Sequence, residues 1–524
     1  MEKMDVKEQA GTPKRWRRAW ARLAPWLYPL SLLAGATLWA LSLPPGGWSI
    51  LAVVAFVPPL LAVQKETPRR ALAWGWAGGF LWEAGTLWWL VPTLTNYGDM
   101  GILMAVFLIA GLCAILGLTM ALFLGSLAFL ARRLGRWGLV MAPCLWVLAE
   151  WLRGHLFSGL PWWGPGYSLS LFPVFLQSVA LLGVLGLSFL AVLTASALAL
   201  GILDRKSPQT LAAALPAILL FAGSVSYGIS REEWKTDRSQ RLPVGYIQPE
   251  IAQDQKWDAS LAQSTKKIFM DLSEPFRPYH LKVLVWPESC VPGVWDLDDG
   301  LREQVGDLAT RLDSPILLGT ILKAEGGGVQ NGAVLVMPGG KEGGRYAKRH
   351  LVPFGEYIPL RRLLGFANPI VENVGDFVAG KITEPMPSPA GKLGVSICYE
   401  GIFPDLVRRQ VIMGAELLVN ITNDAWYAGT PGPDQHFFIQ RVRAVETGRY
   451  LIRSANGGVS GVVNPRGRLE AATPREQCAS WWGEIVPLKD KTLFVRIGDT
   501  WLLIPLLLVL IAGALALRHR VQSE

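Results

Sequence analysis

Eight apolar segments of membrane-crossing length surround a single polar block, and this pattern constrains the fold more than any other feature of the chain. A helix needs about 20 apolar residues to cross the hydrocarbon core. Candidates lie near 23–43, 48–64, 71–92, 100–131, 138–153, 172–203, 209–229 and 496–517, the second and fifth being short. A buried core helix is the alternative reading of any one segment, but not of so many in succession. With 51% apolar and only 17% charged residues among 524, the chain is too apolar for an ordinary soluble protein and too long for one domain. We therefore expect a polytopic α-helical membrane domain over 1–232 with about seven spans. A globular domain over 233–495 and a last span with its tail over 496–524 complete the chain.

Basic residues set the orientation. The N-terminal tail carries Lys3, Lys7, Lys14, Arg15, Arg17, Arg18 and Arg22. The even-numbered connections carry Lys65, Arg69 and Arg70, then Arg132, Arg133 and Arg136, then Arg205 and Lys206; the C-terminus has Arg518 and Arg520. Odd-numbered connections such as 44–47 and 93–99 carry little basic charge. Both termini are expected in the cytoplasm of a bacterial cell, with an uncleaved first span and the polar block in the periplasm. The cytoplasmic segments hold 17 Lys and Arg against 6 acids, more than the whole chain's net +9. The basic balance is thus a topology signal, and no nucleic-acid partner is expected.

Five cysteines, with no CxxC and no zinc spacing, imply neither a disulfide framework nor a metal centre. A Cys290–Cys478 bridge is permitted in an oxidising compartment and is not fixed by sequence. In the polar block, β-branched runs recur at 244–247, 282–286, 316–321, 333–337, 393–397, 416–421, 450–454 and 459–463. Helical patterns at 403–414 and 434–448 lie among them, which predicts a layered α/β domain. Glycine-rich stretches at 326–328 and 339–344 read as loops or a hairpin tip, and 360–380 as a mobile loop.

Cys398 ends the apolar run Leu393–Ile397, just before a helical pattern. Taken alone it reads as a small core residue. At a sharp strand-to-helix turn, the same position lifts a nucleophile out of the sheet and sets backbone N–H groups beside it. A thiol attacks as thiolate and needs a base or a nearby cation. His350 and His436 are candidate bases, and Glu288, after Trp286-Pro287 at a strand end, is the rival. Lys348 reads either as a solvated basic turn or as a fixed cation for a tetrahedral oxyanion, with Glu356 placed to orient it.

Together these residues resemble the nitrilase superfamily, with a Glu–Lys–Cys triad on an αββα sandwich. The match is closer to its membrane branch, the apolipoprotein N-acyltransferases. Tyr346-Ala-Lys-Arg-His-Leu-Val-Pro-Phe-Gly-Glu356, Ser396-Ile-Cys-Tyr-Glu400, Asn420-Ile-Thr-Asn-Asp-Ala-Trp426 and Arg443-Ala-Val-Glu-Thr-Gly-Arg449 carry the resemblance. It implies Glu288 as general base, Lys348 as oxyanion stabiliser and Cys398 as nucleophile. Glu356, Tyr399 and Glu400 would be supporting residues and Trp257 a substrate contact. The family's carboxylate base also weakens the histidine alternative. Cys290 and Ala428 depart from its pattern. The implied reaction moves an acyl chain from a phospholipid, typically phosphatidylethanolamine, to the α-amino group of a lipoprotein's diacylglyceryl-cysteine. A thioester on Cys398 would be the intermediate, no metal or other cofactor would be needed, and a monomer is expected. A membrane-tethered amidase and an inert scaffold are the competing readings. Trp88-Trp89 and Pro161-Trp-Trp163 suit an interface belt or a lipid portal, and Glu150 is placed to pair with Arg153 on one helix face.

Overall fold

The computed structural model describes residues 24–98, 100–232, 238–256, 259–357 and 377–521. Among these, four helices are long and apolar enough to cross a membrane: Ile102–Leu134, Val179–Leu203, Pro208–Arg231 and Leu493–Arg518. Shorter apolar helices cover Leu27–Ser42 and Leu51–Val63. Helices α1 (Pro68–Leu87), α2 (Leu90–Tyr97) and α3 (Ala142–His155) lie among the apolar segments, and α2 and α3 carry residues that meet the polar block.

Glu83 of α1 and Glu150 of α3 are buried carboxylates on these helices. Glu150 does not take Arg153 as its hydrogen-bonding partner. It accepts from Trp146 Nε1 at 2.7 Å and Ser188 Oγ at 3.1 Å. Arg153 instead pairs with Glu83 at 2.9 Å and donates to the carbonyls of Trp162 and Trp163. A guanidinium projects several donors in different directions, so it can bridge three partners that a lone i,i+3 contact would leave unmet.

The polar block folds into two sheets. One runs β11-β1-β2-β3-β4-β5, the other β10-β9-β8-β7-β6. The first contains β1 (Leu242–Gln248), β2 (Leu284–Val285), β3 (Ile316–Lys323), β4 (Val329–Val336), β5 (Glu342–Ala347) and β11 (Ala479–Ile485). The second contains β6 (Leu393–Ile397), β7 (Leu417–Asn423), β8 (Leu451–Asn456), β9 (Ser460–Val463) and β10 (Leu469–Thr473). Within each, the three strands β1-β2-β3 and β6-β7-β8 pair in parallel. Parallel strands are covered on both faces, which is why they read in sequence as largely apolar runs.

The layers follow from which side chains pack together. Val244, Val285, Leu317 and Leu335 of the first sheet meet Val395, Ile397, Val419 and Ile452 of the second in one core. On the outer face of the first sheet, Leu284, Ile316 and Leu318 pack with Phe269, Leu301, Val305 and Leu308 of α4 (Ala262–Ser273) and α5 (Asp299–Leu312). On the outer face of the second, Leu418, Leu451 and Val463 pack with Val407, Val411, Phe437 and Ala444 of α6 (Pro404–Ile412) and α7 (Gly432–Thr447). This is an αββα sandwich, as the resemblance implies.

The stretch 339–344 is only partly a tip. The turn lies at Gly339-Gly340, and Glu342 already belongs to β5. Most of the expected mobile loop falls on 358–376, outside the described residues. Cys290 and Cys478 are both free thiols, the first buried and the second exposed, so no bridge joins them.

Candidate active site

Cys398 sits where β6 ends and a short 3-10 turn, Cys398–Ile402, leads into α6. Its φ is 51°, a left-handed conformation that costs a side-chain-bearing residue on the order of 1–3 kcal/mol. Surrounding groups hold it there. The Cys398 carbonyl accepts from Asn420 Nδ2 and Gln440 Nε2, both at 3.3 Å, and His436 Nε2 lies 3.2 Å from it. The Thr422 hydroxyl, which donates to Asp424 at 2.9 Å, is among the groups that favour the thiolate.

Glu288 follows β2 and lies across β3. A Cβ on Gly319 would come within 2.6 Å of the Glu288 Cα, so the strand needs glycine there for the carboxylate's backbone to pass. Glu288 Oε1 accepts from Asn331 Nδ2 at 2.7 Å, and Oε2 from the Asn423 backbone N–H at 2.9 Å. Lys348, at the end of β5, is 1% exposed. Its ammonium is 2.8 Å from Glu356 Oε1 and 3.8 Å from Glu288 Oε1. Asn331 also donates to Glu356 at 2.9 Å, and Val352 N–H donates to its second oxygen at 2.8 Å. Glu288, Lys348, Glu356 and Cys398 are thus brought together in one buried site.

The electrostatics favour a resting thiol beside a permanent cation. Burial pushes the Cys398 thiol above its ordinary range, and the Glu288 carboxylate adds to that; Lys348 works the other way. For Lys348, burial alone would favour the neutral amine. Glu356, Glu288 and Cys398 outweigh it and hold the ammonium above the ordinary lysine range. A thiol in this setting needs its proton removed during attack.

Tyr399 and Glu400 do different work from the four residues above. Glu400 is buried and accepts from Tyr346 Oη at 2.9 Å on both oxygens, Arg349 N at 2.8 Å, His350 N at 3.1 Å and Ile397 N at 2.8 Å. It ties the Lys348 turn to the Cys398 turn. Tyr399 donates to the Gly159 carbonyl at 3.2 Å, outside the sandwich, and packs on Phe403. Trp257 lies outside the described residues.

The histidines are not placed as bases. His350 has its ring against Phe403, with 4.0 Å between centroids. His436 faces the backbone carbonyl of Cys398 and, through Nδ1, Asp424 at 2.9 Å. The tryptophans proposed for a belt are divided. Trp88 is exposed, but Trp89, Trp162 and Trp163 are buried. Trp89 packs on Tyr427 at 5.1 Å, and Trp162 stacks on His436 at 5.9 Å. Among the described residues, one trio brings three potential metal donors within 4.8 Å: His155, Asp405 and Asp499. It reads as an ion pair across two elements, His155 Nε2 to Asp405 at 3.3 Å.

The apolipoprotein N-acyltransferase N-terminal domain family matches residues 35–197, and the carbon-nitrogen hydrolase family matches 244–480. An apolipoprotein N-acyltransferase of Geobacter metallireducens is 34% identical over 504 residues, 94% of this chain and 96% of that one. The chain belongs to the apolipoprotein N-acyltransferase family. A second member, from Methylococcus capsulatus, is 32% identical over 506 residues, 94% of this chain and 97% of that one. A solved amidase from Nesterenkonia sp. AN1 is 17% identical, covering 52% of this chain and 98% of that one, with a TM-score of 0.40.

Sequence reasoning about this family member missed Asn331, the amide that bridges Glu288 and Glu356. It also missed Arg453, which donates to Asp424 at 2.6 Å and completes a buried group with His436. A buried aspartate with a cation partner leaves one sequence signal, a charge inside an otherwise uncharged buried strand, and Arg453 in β8 is such a residue.

Proposed function

We propose that the chain transfers an acyl chain from a phospholipid to the α-amino group of a lipoprotein's N-terminal diacylglyceryl-cysteine, through a thioester on Cys398. The observation that carries this reading is a buried ammonium, Lys348, lying 3.8 Å from Glu288 beside a nucleophile held at positive φ. Glu288 takes the thiol proton as sulfur attacks the donor's ester carbonyl. The tetrahedral oxyanion is met by Lys348 and backbone N–H groups, and Glu288 returns the proton to the departing lysophospholipid alkoxide. The acceptor amine then attacks the thioester. Glu288 takes its proton and passes it to the leaving thiolate, which restores the resting enzyme. Glu356 holds Lys348 in place, and Glu400 and Tyr399 support the two turns. Trp257 contributes to the substrate region.

The donor is proposed to be phosphatidylethanolamine and the working unit a monomer. The topology that serves this chemistry has about eight spans and both termini in the cytoplasm of the bacterial inner membrane. It divides at 1–232, 233–495 and 496–524, with the middle part periplasmic. Long acyl chains make a bilayer-surface site favourable, since drawing them into water costs about 0.8 kcal/mol per CH₂.

The test supplies purified protein with phosphatidylethanolamine and a diacylglyceryl-cysteinyl peptide. N-acylated peptide and lysophospholipid are expected in equal amounts, and neither with Cys398→Ala. Free fatty acid in place of acylated peptide would make the protein a hydrolase, and product from Cys398→Ala would remove the cysteine from the chemistry.

A further inference from the structure

The site contains a second buried cation that the reaction above does not use. Lys256 is 2% exposed, yet it lies on an irregular stretch between β1 and α4. That stretch is fastened to the end of β8: Ile251 N–H donates to Asn456 Oδ1 at 2.8 Å, and Asn456 Nδ2 donates to the Ile251 carbonyl at 2.8 Å. From there the Lys256 side chain reaches Glu288 and donates to its backbone carbonyl at 2.9 Å. A buried ammonium is costly unless hydrogen-bonded and near negative charge. The titratable groups that act on it are Glu288, Cys290 and Cys398. Cys290 has its thiol committed to the Gly319 carbonyl at 2.9 Å, and burial pushes it up to about 12. That leaves Glu288 and the sulfur of Cys398 as the charges Lys256 meets during catalysis.

We propose that Lys256 is a positioning residue for acyl transfer: it fixes the Glu288 backbone over Gly319 and supplies a second positive charge that favours the Cys398 thiolate. The proposal rests on the acyl-enzyme reading above. Lys348 meets the oxyanion side of the reaction and is already neutralised by Glu356 at 2.8 Å. Lys256 has a carbonyl as its close hydrogen-bond partner, and its charge acts on Glu288 first and then on the sulfurs of Cys290 and Cys398. Burial draws the Lys256 ammonium down to about 8, against the raising effect of Glu288, Cys290 and Cys398. The extra charge therefore disappears as pH rises past that value.

The experiment compares wild type with Lys256→Met, Lys256→Gln and Lys256→Arg, all full-length in phospholipid micelles. It follows two rates across pH 6–9.5: acyl-enzyme formation by intact mass, and iodoacetamide alkylation of Cys398 by peptide mass. Met and Gln are expected to slow both at pH 7 by about tenfold or more, with Arg recovering most of the loss. The wild-type acylation profile should fall near pH 8, and the fall should be absent in Met. Wild-type rates and profile in Met, or full recovery by Gln, would overturn the role of the charge. If the Met and Gln chains do not fold, a wild-type profile with no fall near pH 8 overturns it equally. A wild type that alkylates but never acylates would instead sink the acyl-enzyme reading itself.

Discussion

Glu400 accepts hydrogen bonds from Tyr346, Arg349, His350 and Ile397, and so joins two loops that approach from different sheets. Its neighbour Cys398 depends on that join, because Lys348 follows Tyr346 by two residues. Glu400→Gln presents an NH₂ to donors that need an acceptor. We expect it to cost about 2–3 kcal/mol of stability and to slow acyl-enzyme formation. A thermal midpoint and adduct rate equal to wild type would contradict that account. Asp424 behaves differently. Burial alone would raise its carboxyl, but Arg453 and His436 outweigh burial and hold it well below the usual carboxylate range. A carboxylate lowered in the folded state contributes stability that is complete above its unfolded value of about 4, and loses it as pH falls toward the folded value. The thermal midpoint of wild type should therefore drop more steeply than that of Asp424→Asn between about pH 4 and pH 2. Parallel curves would show that the pair contributes nothing.

Strand β3 carries a tight backbone approach beside Glu288. A Cβ at Gly319 would meet the Pro287 carbonyl and the Glu288 Cα. Gly319→Ala should push the Pro287–Ser289 backbone from 2.4–2.7 Å back to van der Waals distance, a shift on the order of 1 Å that carries the carboxylate with it. Misplacement on the order of 1 Å costs about 10²-fold in rate, so we expect acyl-enzyme formation to fall about tenfold or more. Wild-type kinetics in a folded Ala variant would mean that the approach is slack. The same scale explains what the sequence made legible. The runs at 316–321, 393–397 and 416–421 were readable because these strands are buried at nearly every residue and stay mostly apolar. Strand β5, Glu-Gly-Gly-Arg-Tyr-Ala, was not, because its first residues are polar and small and most of it is only partly buried. Cys398 and Lys348 were found through the motifs around them. Asn331 was not, because a lone amide in mid-strand becomes informative only when Glu288 and Glu356 are seen to converge on it. The positive φ of Cys398 left no trace in its own residue type, and Lys256 looked like any lysine in a polar loop.

Over the whole molecule, the Cys398 turn and the segments around it are joined to the apolar helices. Thr93 of α2 donates to the Trp426 carbonyl at 3.1 Å, Trp162 to Gln435 at 2.8 Å, and Tyr399 to the Gly159 carbonyl at 3.2 Å. Glu446 of α7 accepts from Val184 N–H at 2.8 Å at the start of an apolar helix. These contacts hold Cys398, Lys348 and the aromatic residues Trp89 and Tyr427 in one unit with the helices. Such an arrangement suits substrates whose chains stay in lipid. The central claim is that Cys398 carries the acyl group between donor and acceptor. Its most direct test is the intact mass of the protein after incubation with phospholipid in the absence of acceptor. We predict the mass of one added acyl chain, removed by hydroxylamine and by the diacylglyceryl-cysteinyl peptide, and absent in Cys398→Ala. A folded wild-type protein that gains no mass, or an adduct that survives in Cys398→Ala, would contradict it.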